Sequence, residues 1–492
     1  MSHPFDRYAA FTDLDALKKA SDRSLRKSLR VNTLKSSVTE LQSWANKQGW
    51  KIEPVPWCPE GFFIDRTDRS QALGKDLLHL LGHVYMQEAS SMLPPVLLDP
   101  QPGETILDIS AAPGSKTTQI AAMLQGSGVI VANDMQEKRL GTLKSALHRL
   151  GVTNGIVTKK MGHWFGQHMI ERFDRVLCDA PCTAQGTIRK DPAALTYSSE
   201  HAIGKCVGIQ KGLLEAAVHA TKVGGRIVYS TCTLAPEENE EVVAMVLNKF
   251  SDQLIPLDIG DKSVVSGQWS VGSGQWTERF KEAMHSSHLV QRHVKKSGHW
   301  PLSSDHVPFL RIWPQTYDTE GFFCAVLEKK ASTCDRQFEK PAQFQERAMG
   351  NKKRTELLAR IAELYGTDFF TEGDQLFERE DQILLASQNV EKFGLPVPDY
   401  SLGLPFAKLL KDGRFRLASE LVTLRGAMAL QNVWEVDDAV VQDLLQGKDV
   451  SCPSALQGDV IVRWNDLQLG LSLAQSGHMK NRLSRWMVKQ FE

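Results

Sequence analysis

The chain has 492 residues, of which 42% are hydrophobic and 24% are charged, a composition typical of soluble globular proteins. This length exceeds what one hydrophobic core supports and predicts roughly two to four domains. Lys+Arg and Asp+Glu are equal at 58 each, so the net charge does not indicate a nucleic-acid partner and only local clusters could.

The eight cysteines lack the spacing of a disulfide framework, which predicts reduced thiols in a reducing compartment. The first residues contain no apolar segment of the signal-peptide kind, and no window approaches ~18 consecutive apolar residues. We therefore predict a cytoplasmic protein without a membrane span.

Residues 1–99 mix helix and strand signals and predict an α+β unit that ends near Pro94 and Pro95. Residues 18–35 contain seven basic side chains and a single acidic one, Asp22. Such a run is usually a solvated helix face and less often a phosphate-binding surface.

From residue 100 to residue 330, strand-like and helix-like stretches alternate. The predicted strands are 105–109, 129–132, 156–158, 175–178 and 226–229, followed by a closing pair at 310–313 and 322–327; the predicted helices are 117–124, 136–150 and 209–221. This alternation predicts an α/β, doubly wound domain with a parallel sheet.

Residues 260–306 interrupt this pattern with a repeated Ser-Gly-Gln-Trp sequence and five histidines. The spacing of the histidines matches no standard set of metal ligands, and no cysteine accompanies them. We predict a surface insertion and no metal site.

The remaining chain is predicted to form a linker and helical segment at 331–400 and a small β-rich domain at 401–492. Lys480, Arg482, Arg485 and Lys489 lie within ten residues near the end, with Trp486 among them. A basic cluster with an interleaved aromatic residue fits contacts to an RNA backbone and stacking on its bases.

A loop of small residues connects the first predicted strand of the α/β domain to the first helix. It comprises Ser110, Ala111, Ala112, Pro113, Gly114, Ser115 and Lys116. Small residues allow close approach of a ligand, and the helix N-terminus offers free N–H groups. A single glycine fits neither dinucleotide nor Walker A loops. Asp134 ends the second strand, where a carboxylate can hold ribose hydroxyls. The pattern favours an adenosine-bearing ligand without a pyrophosphate, such as S-adenosylmethionine.

Two cysteines follow predicted strands. Cys182 ends the sequence Asp-Ala-Pro-Cys, and Cys232 lies in Ser-Thr-Cys-Thr. Because parallel strands deliver their carboxyl ends to one crevice, the two thiols could face one substrate. A thiolate is a strong nucleophile when its pKa is lowered. The alternative interpretation is a pair of buried core cysteines.

Three motifs resemble those of the Nop/Sun family of RNA (cytosine-5) methyltransferases. They are Ala-Pro-Gly-Ser-Lys-Thr at 112–117, Asp-Ala-Pro-Cys at 179–182 with Arg-Lys-Asp-Pro at 189–192, and Ser-Thr-Cys-Thr at 230–233 with Pro-Glu-Glu-Asn-Glu at 236–240. Arg-Val-Asn-Thr at 30–33 and Gln-Glu-Ala-Ser-Ser at 87–91 resemble the N-terminal RNA-binding extension of that family. The C-terminal part, with Lys-Asn-Arg at 480–482, is similar to the appendage of its bacterial members that act on small-subunit ribosomal RNA.

This resemblance implies a Rossmann-like methyltransferase domain at 100–330, an RNA-binding extension at 1–99 and a PUA-like RNA-binding domain at 401–492. It implies Cys232 as the nucleophile, Cys182 as the residue that assists product release, and Asp179 as the residue that hydrogen-bonds the base. The implied cofactor is S-adenosyl-L-methionine, held by residues 110–116, Asp134, the position of Met161 and Asp179. The implied substrate is a cytosine of the 16S rRNA decoding region within the small ribosomal subunit, and we predict a monomer.

The sequence departs from the family pattern at several positions. Met161 stands where relatives usually carry an aspartate that contacts the adenine amino group, which predicts weaker cofactor binding. Ser110 replaces a customary alanine, and Thr-Ala-Gln-Gly at 183–186 replaces Ser-Gly-Glu-Gly. Two alternatives therefore stay open: a transfer RNA cytosine-5 methyltransferase, and an RNA-binding ribosome-assembly factor on a degenerate scaffold.

Overall fold

The structure is a computed structural model that describes residues 4–67, 69, 72–257, 259, 309–333, 347–395 and 398–488. The predicted insertion at 260–306, with its five histidines, lies outside the described residues, and so does Lys489.

The N-terminal unit is a four-stranded antiparallel sheet flanked by short helices, which confirms the predicted α+β character. Its strands are β1 (Lys27–Val31), β2 (Lys51–Val55), β3 (Cys58–Asp65) and β4 (Val84–Tyr85); its helices are α1 (Leu14–Ser21), α2 (Val38–Lys47), α3 (Leu77–Leu80) and α4 (Leu93–Leu98). Short 3₁₀ turns cover Pro4–Tyr8, Leu73–Lys75 and Ser90–Met92. Helix α2 begins at a capping box, in which Ser37 and Glu40 each accept a bond from the other's backbone N–H.

A nine-stranded sheet forms the central domain and confirms the doubly wound α/β prediction. Eight of its strands are β5 (Thr105–Asp108), β6 (Val129–Asn133), β7 (Gly155–Thr158), β8 (Phe173–Asp179), β9 (Thr221–Thr231), β10 (Leu254–Pro256), β11 (Phe309–Ile312) and β12 (Phe322–Lys329), and the ninth comes from the C-terminal region described below. The helices are α5 (Ser115–Met123), α6 (Glu137–Leu150), α7 (His163–His168), α8 (Glu200–Ala220), α9 (Glu240–Lys249) and α10 (Pro314–Tyr317), with 3₁₀ turns at Gln185–Thr187, Pro192–Tyr197 and Pro236–Glu238.

The order along this sheet is β10-β12-β9-β8-β5-β6-β7, with β11 paired to β12. Strands β5 to β9 run parallel, whereas β10, β11 and β12 form antiparallel pairs. Alternate residues of one strand enter two different cores: Leu107 packs on one face of the sheet and Ile106 on the other. Both faces are covered, which explains why these strands are continuous apolar runs in the sequence.

The C-terminal region contains two five-stranded sheets. The first comprises β13 (Arg347–Ala348), β14 (Asp374–Arg379), β15 (Gln382–Ser387), β17 (Leu404–Leu409) and β18 (Phe415–Leu417); β16 (Ser401–Leu402) instead pairs with β7 and extends the central sheet. The second comprises β19 (Val433–Glu435), β20 (Val450–Ser451), β21 (Gly458–Trp464), β22 (Leu467–Gln475) and β23 (His478–Lys480). The helices are α11 (Asn351–Tyr365), α12 (Gln388–Phe393), α13 (Ser419–Arg425), α14 (Asp438–Leu445) and α15 (Arg485–Val488), with a 3₁₀ turn at Gly426–Met428.

The first of these sheets contains strands from both sides of residue 400, where the sequence analysis placed the boundary between the helical segment and the β-rich domain. The hairpin of β14 and β15 lies in the interval 331–400, beside the helix α11, and β15 pairs with β17 beyond it. The apolar runs of this hairpin are short and separated by charged residues, and they resemble a linker in the sequence.

The N-terminal unit also contacts the later parts of the chain. Its sheet shares one hydrophobic core with the second C-terminal sheet, in which the rings of Trp44 and Trp464 lie edge to face at 6.2 Å. The ammonium of Lys35 donates to the carbonyls of Leu81 and Arg149 and to the hydroxyl of Thr423. Burial lowers the pKa of Lys35 to about 7.

Within the part of the chain that the structure describes, no helix combines the length and apolarity needed to cross a membrane. The same residues contain no group of three or more His, Cys, Asp or Glu side chains arranged to hold a metal ion.

Candidate active site

A crevice lies where the strand order of the central sheet reverses. Strand β6 flanks β5 on one side and β8 flanks it on the other, with β9 beyond β8. In parallel sheets, ligands bind outside the carboxyl ends of the strands at such a switch point. The loops that follow β5, β8 and β9 all open at this edge, and they carry the residues 110–116, Cys182 and Cys232.

The structure brings the two predicted cysteines together. The Sγ atoms of Cys182 and Cys232 lie 3.4 Å apart, and both residues are half-buried free thiols. The hydrogen bond to Cys232 and then burial raise the pKa of Cys182 well above its ordinary value. Cys182 therefore keeps its proton and can donate it towards the sulfur of Cys232.

Asp179 lies beside this pair and has two polar partners. One carboxylate oxygen accepts from the Nζ of Lys116 at 2.8 Å, and the other accepts from the hydroxyl of Ser230 at 2.7 Å. Burial lowers the pKa of Lys116, but the charge and hydrogen bond of Asp179 outweigh it, so the net shift is upward. The same Nζ lies 5.4 Å from the ring centroid of Phe322. Lys116 was predicted as part of the cofactor loop, and its charged end contacts Asp179, which was predicted both to hydrogen-bond the base and to hold the cofactor.

The loop after β5 leads into α5 without a side-chain cap. Gly114 has a φ of 109°, and a Cβ there would lie 3.1 Å from the side chain of Leu143. Since no side chain caps α5, the N–H groups of its first turn can donate to an anionic partner such as an amino-acid carboxylate. Ala111 and Ala112 are buried and Ser110 is half-buried.

Asp134 directly follows β6 and lies close to this loop. Its carboxylate accepts from the backbone N–H of Ala112 at 3.3 Å and of Gln136 at 2.9 Å, and lies 3.4 Å from the guanidinium of Arg139. Below the loop, the Oδ1 of Asp108 is buried and has no hydrogen-bond partner among the described residues. Small residues, free N–H groups and a carboxylate at a neighbouring strand end fit an adenosyl amino acid.

Met161 is 55% exposed at the end of β7, and Met135 is 60% exposed at the end of β6. Neither side chain can donate or accept the hydrogen bonds that an aspartate provides. Their thioethers offer an apolar, polarisable surface at this side of the crevice.

Glu238 is a buried residue without a role in the sequence analysis, and it holds both cysteine loops. The Oε2 of Glu238 accepts from the backbone N–H of Thr183 at 3.0 Å, and its Oε1 accepts from the hydroxyl of Thr233 at 3.0 Å. Glu238 belongs to the Pro-Glu-Glu-Asn-Glu motif, which was quoted for the resemblance alone. In the sequence, the available signal was an acidic residue in the motif that directly follows the Cys232 segment.

Gly186 is the one position of the altered loop after Cys182 where close backbone contacts require a glycine. Its N–H donates to the carbonyl of Cys232 at 2.9 Å, and its carbonyl accepts from the N–H of Gly321 at 2.9 Å. A Cβ at this position would lie 2.3 Å from the Gly321 oxygen and 2.7 Å from the Cys232 oxygen, so a side chain is excluded. The loop is thus tied to the Cys232 segment through backbone contacts.

The predicted basic run at 18–35 is not a uniform surface. Arg30 is buried and donates to Gln87 at 3.0 Å and to Thr118 of α5 at 3.1 Å. Asn32 is buried and donates to the carbonyl of Leu150 at 2.8 Å. These members of the Arg-Val-Asn-Thr motif join the N-terminal unit to the central domain.

Comparisons with known proteins agree with this architecture. The model of a family described as 16S rRNA methyltransferase RsmB/F matches residues 95–328, and a model described as the N-terminal domain of 16S rRNA methyltransferase RsmF matches residues 7–89. A ribosomal RNA small subunit methyltransferase F from Aeromonas salmonicida is 35% identical over 98% of this chain and 94% of its own length. The protein of the same name from Vibrio cholerae is 33% identical over 97% of this chain and 94% of its own length.

Two crystal structures are similar in fold. A methyltransferase homolog protein from Pyrococcus horikoshii is 34% identical, covers 66% of this chain and 93% of its own, and superposes with a TM-score of 0.52. NSun6 from the same organism is 22% identical, covers 68% of this chain and 99% of its own, and has a TM-score of 0.53.

Proposed function

The chain belongs to the RsmB/F family of 16S rRNA methyltransferases, and from this premise we propose that it methylates carbon 5 of a cytosine in 16S rRNA. The observation that carries the proposal is the pair of thiols 3.4 Å apart, beside the carboxylate of Asp179 and the ammonium of Lys116. Two thiols and a charge pair at one strand edge fit nucleophilic catalysis on a polar ring.

Carbon 5 of cytosine becomes a nucleophile only after a thiolate adds to carbon 6. We assign this attack to Cys232, whose thiol gives its proton to water while N3 of the base takes a proton from water. The S–C6 bond then forms, the C5–C6 π pair moves to C4–C5 to give an enamine, and the C4–N3 π pair becomes a lone pair on N3. Asp179 would accept a hydrogen bond from N3–H and stabilise the charge that protonation places on the ring. Lys116 holds that carboxylate in place through the 2.8 Å bond.

Bound S-adenosyl-L-methionine supplies an electrophilic methyl group on a sulfonium, which carbon 5 accepts. We assign its binding to residues 110–116, with Asp134 at the ribose, and the surface of Met161 at the adenine. Loss of the carbon 5 proton to water then expels Cys232 as a thiolate. The S–H of Cys182 would donate to the departing sulfur, which is the role we assign it in product release.

The resemblance to the bacterial small-subunit enzymes supports a cytosine of the decoding region, presented by the small ribosomal subunit. A base in a helix would have to leave its stack to reach the crevice. We propose that residues 1–99 and the PUA-like C-terminal region hold the surrounding RNA, and that the protein acts as a monomer in the cytoplasm, where ribosomal subunits are assembled.

The test is transfer of labelled methyl to small subunits, free 16S rRNA and transfer RNA from cells that lack the gene. We expect labelled 5-methylcytosine in 16S rRNA, and Cys182→Ser should accumulate a covalent protein–RNA adduct on gels. Label in transfer RNA alone would show that the substrate is transfer RNA and not 16S rRNA. A wild-type protein that is inactive on every RNA would contradict the proposed methyltransferase activity. It would favour the alternative of an RNA-binding ribosome-assembly factor.

A further inference from the structure

Glu238 is a carboxylate with no solvent exposure that lies between the two cysteine loops. Its Oε2 accepts from the backbone N–H of Thr183, and its Oε1 accepts from the hydroxyl of that residue. Its Oε1 also accepts from the hydroxyl of Thr233. Because Thr183 follows Cys182 and Thr233 follows Cys232, one side chain holds both thiol-bearing segments.

Glu238 is itself held from two further elements, at its carboxylate and at its backbone carbonyl. Gln210 of α8 donates one amide hydrogen bond to Glu238 at 2.8 Å and another to the carbonyl of Pro181 at 2.9 Å. The hydroxyl of Tyr229 donates to the backbone carbonyl of Glu238 at 2.6 Å. These bonds restrict Glu238 from both sides, and within the described residues the Oε1 of Gln210 is a buried atom without a hydrogen-bond partner.

We propose that Glu238 is a positioning residue that sets the spacing of the two active-site thiols and favours the neutral thiol of Cys182. The expected effect on turnover rests on the proposed function, whereas the effect on the thiols does not. Misplacing reacting groups by about 1 Å can reduce a rate by roughly 10²-fold, so a residue that fixes both loops has a large influence.

The charges around Cys182 support the proposal that Glu238 favours the neutral thiol of Cys182. The groups that face it are Cys232 and Tyr229 from β9 and its loop, and Glu238 from the Pro236–Glu238 turn. Hydrogen bonding to Cys232 and burial raise the pKa of Cys182 most, and the charges of Cys232 and Glu238 raise it further, while the N–H of Ala184 lowers it. Removing the Glu238 charge therefore lowers the pKa of Cys182, so that its thiolate forms at lower pH.

The variant Glu238→Gln tests this with little change of shape. An amide oxygen can keep the bonds from Thr183 N–H and Gln210, and its NH₂ can donate to the two threonine hydroxyls, which are able to accept. The matched control is Glu237→Gln, one residue earlier, whose carboxylate is partly exposed and pairs with Arg7. Both proteins are compared with wild type by thermal melting.

The first readout is alkylation by iodoacetamide across a pH series, without RNA or cofactor, with each cysteine followed by peptide mass spectrometry. We expect the Cys182 profile of Glu238→Gln to move to lower pH by about 0.5–1 unit, while Glu237→Gln matches wild type. The second readout is methyl transfer, where Glu238→Gln should lower kcat by about 10-fold or more and change KM for RNA by less than about 2-fold.

A folded Glu238→Gln protein with a wild-type Cys182 profile and wild-type kcat overturns the proposal, and so does a loss confined to KM. Should that variant not fold, Thr183→Val and Thr233→Val each remove one loop contact, and wild-type kcat in both overturns it equally. A shifted Cys182 profile in a chain whose wild type methylates no RNA would reject the proposed function while supporting the role of Glu238.

Discussion

The two ends of the crevice are built differently. At the thiol end, Asn239 accepts from the Thr231 hydroxyl at 2.5 Å and donates to the Thr233 carbonyl at 3.1 Å, so polar groups of the chain satisfy one another. At the cofactor end, the first turn of α5 has no cap and Met135 and Met161 face solvent. Under the proposed assignment, the chain preorganises the groups that react and leaves the groups that bind to be completed by the ligand.

This difference has a physical basis. A covalent step needs donors and acceptors fixed before the reaction, because their reorganisation would add to the barrier. A reversible ligand must enter and leave, so free N–H groups and exposed side chains are useful there. Substitutions at the thiol end should therefore reduce kcat, and substitutions at the cofactor end should change affinity.

The largest expected effect is that of Cys232→Ser. We expect methyl transfer to fall by at least about 10⁴-fold, because a serine hydroxyl is a far weaker nucleophile at neutral pH. The measurement is labelled methyl incorporation into 16S rRNA, with Cys206→Ser on the half-exposed part of α8 as the control. An active Cys232→Ser together with an inactive Cys182→Ser would show that Cys182 is the nucleophile and Cys232 assists product release.

A substitution of Lys116 tests whether this residue belongs to the thiol end or to the cofactor end of the crevice. We expect Lys116→Met to lower kcat by about 10²-fold, because Asp179 loses the cation that orients it. Affinity for S-adenosylmethionine, measured by isothermal titration, should change by less than about 3-fold. Lys159→Met, which removes an exposed pair with Glu137, is the control. A loss of affinity with unchanged kcat would assign Lys116 to the cofactor end.

Met161→Asp should strengthen cofactor binding. A new hydrogen bond to the adenine amino group contributes about 0.5–1.5 kcal/mol, which is roughly a two- to tenfold lower Kd. Met135→Asp, at the neighbouring strand end, controls for added negative charge. Unchanged titration curves for Met161→Asp would show that the adenine lies elsewhere.

The smallest expected effect concerns stability at the cofactor end. Burial raises the pKa of Asp108 from 3.8 to about 7, so its stabilising neutral form is lost as the pH rises through about 7. We expect Asp108→Asn to reduce the fall in the free energy of unfolding between about pH 5 and pH 8 by on the order of 1 kcal/mol. Denaturant titration measures this, with the exposed Glu137→Gln as control. A pH dependence of unfolding that is identical in Asp108→Asn and wild type would contradict the raised pKa of Asp108.

The sequence predicted the elements whose signal is local. Strands β5 to β9 are continuous apolar runs because both faces of the sheet are covered, and the motif cysteines directly follow two of them. The sequence did not predict contacts made by long side chains across the fold. Lys116 reaches Asp179 from another loop, and Glu238 bonds Thr183, which precedes it by 55 residues.

Burial of charge was equally hidden from sequence reasoning. Arg30 and Lys35 look like members of a solvated basic face, because composition does not show that other units cover them. The hairpin of β14 and β15 was missed as well, since its apolar runs are only a few residues long and gain their partners from strands beyond residue 400.

The junction at Lys35 has a consequence for biosynthesis. Its partner Thr423 follows it by 388 residues, so translation at about 5–20 residues per second leaves the ammonium without this partner for roughly 20–80 s. Strands β5 to β9 emerge from the ribosome well before that contact can form. The central sheet can thus assemble on the nascent chain, and closure of the junction marks the arrival of the C-terminal region.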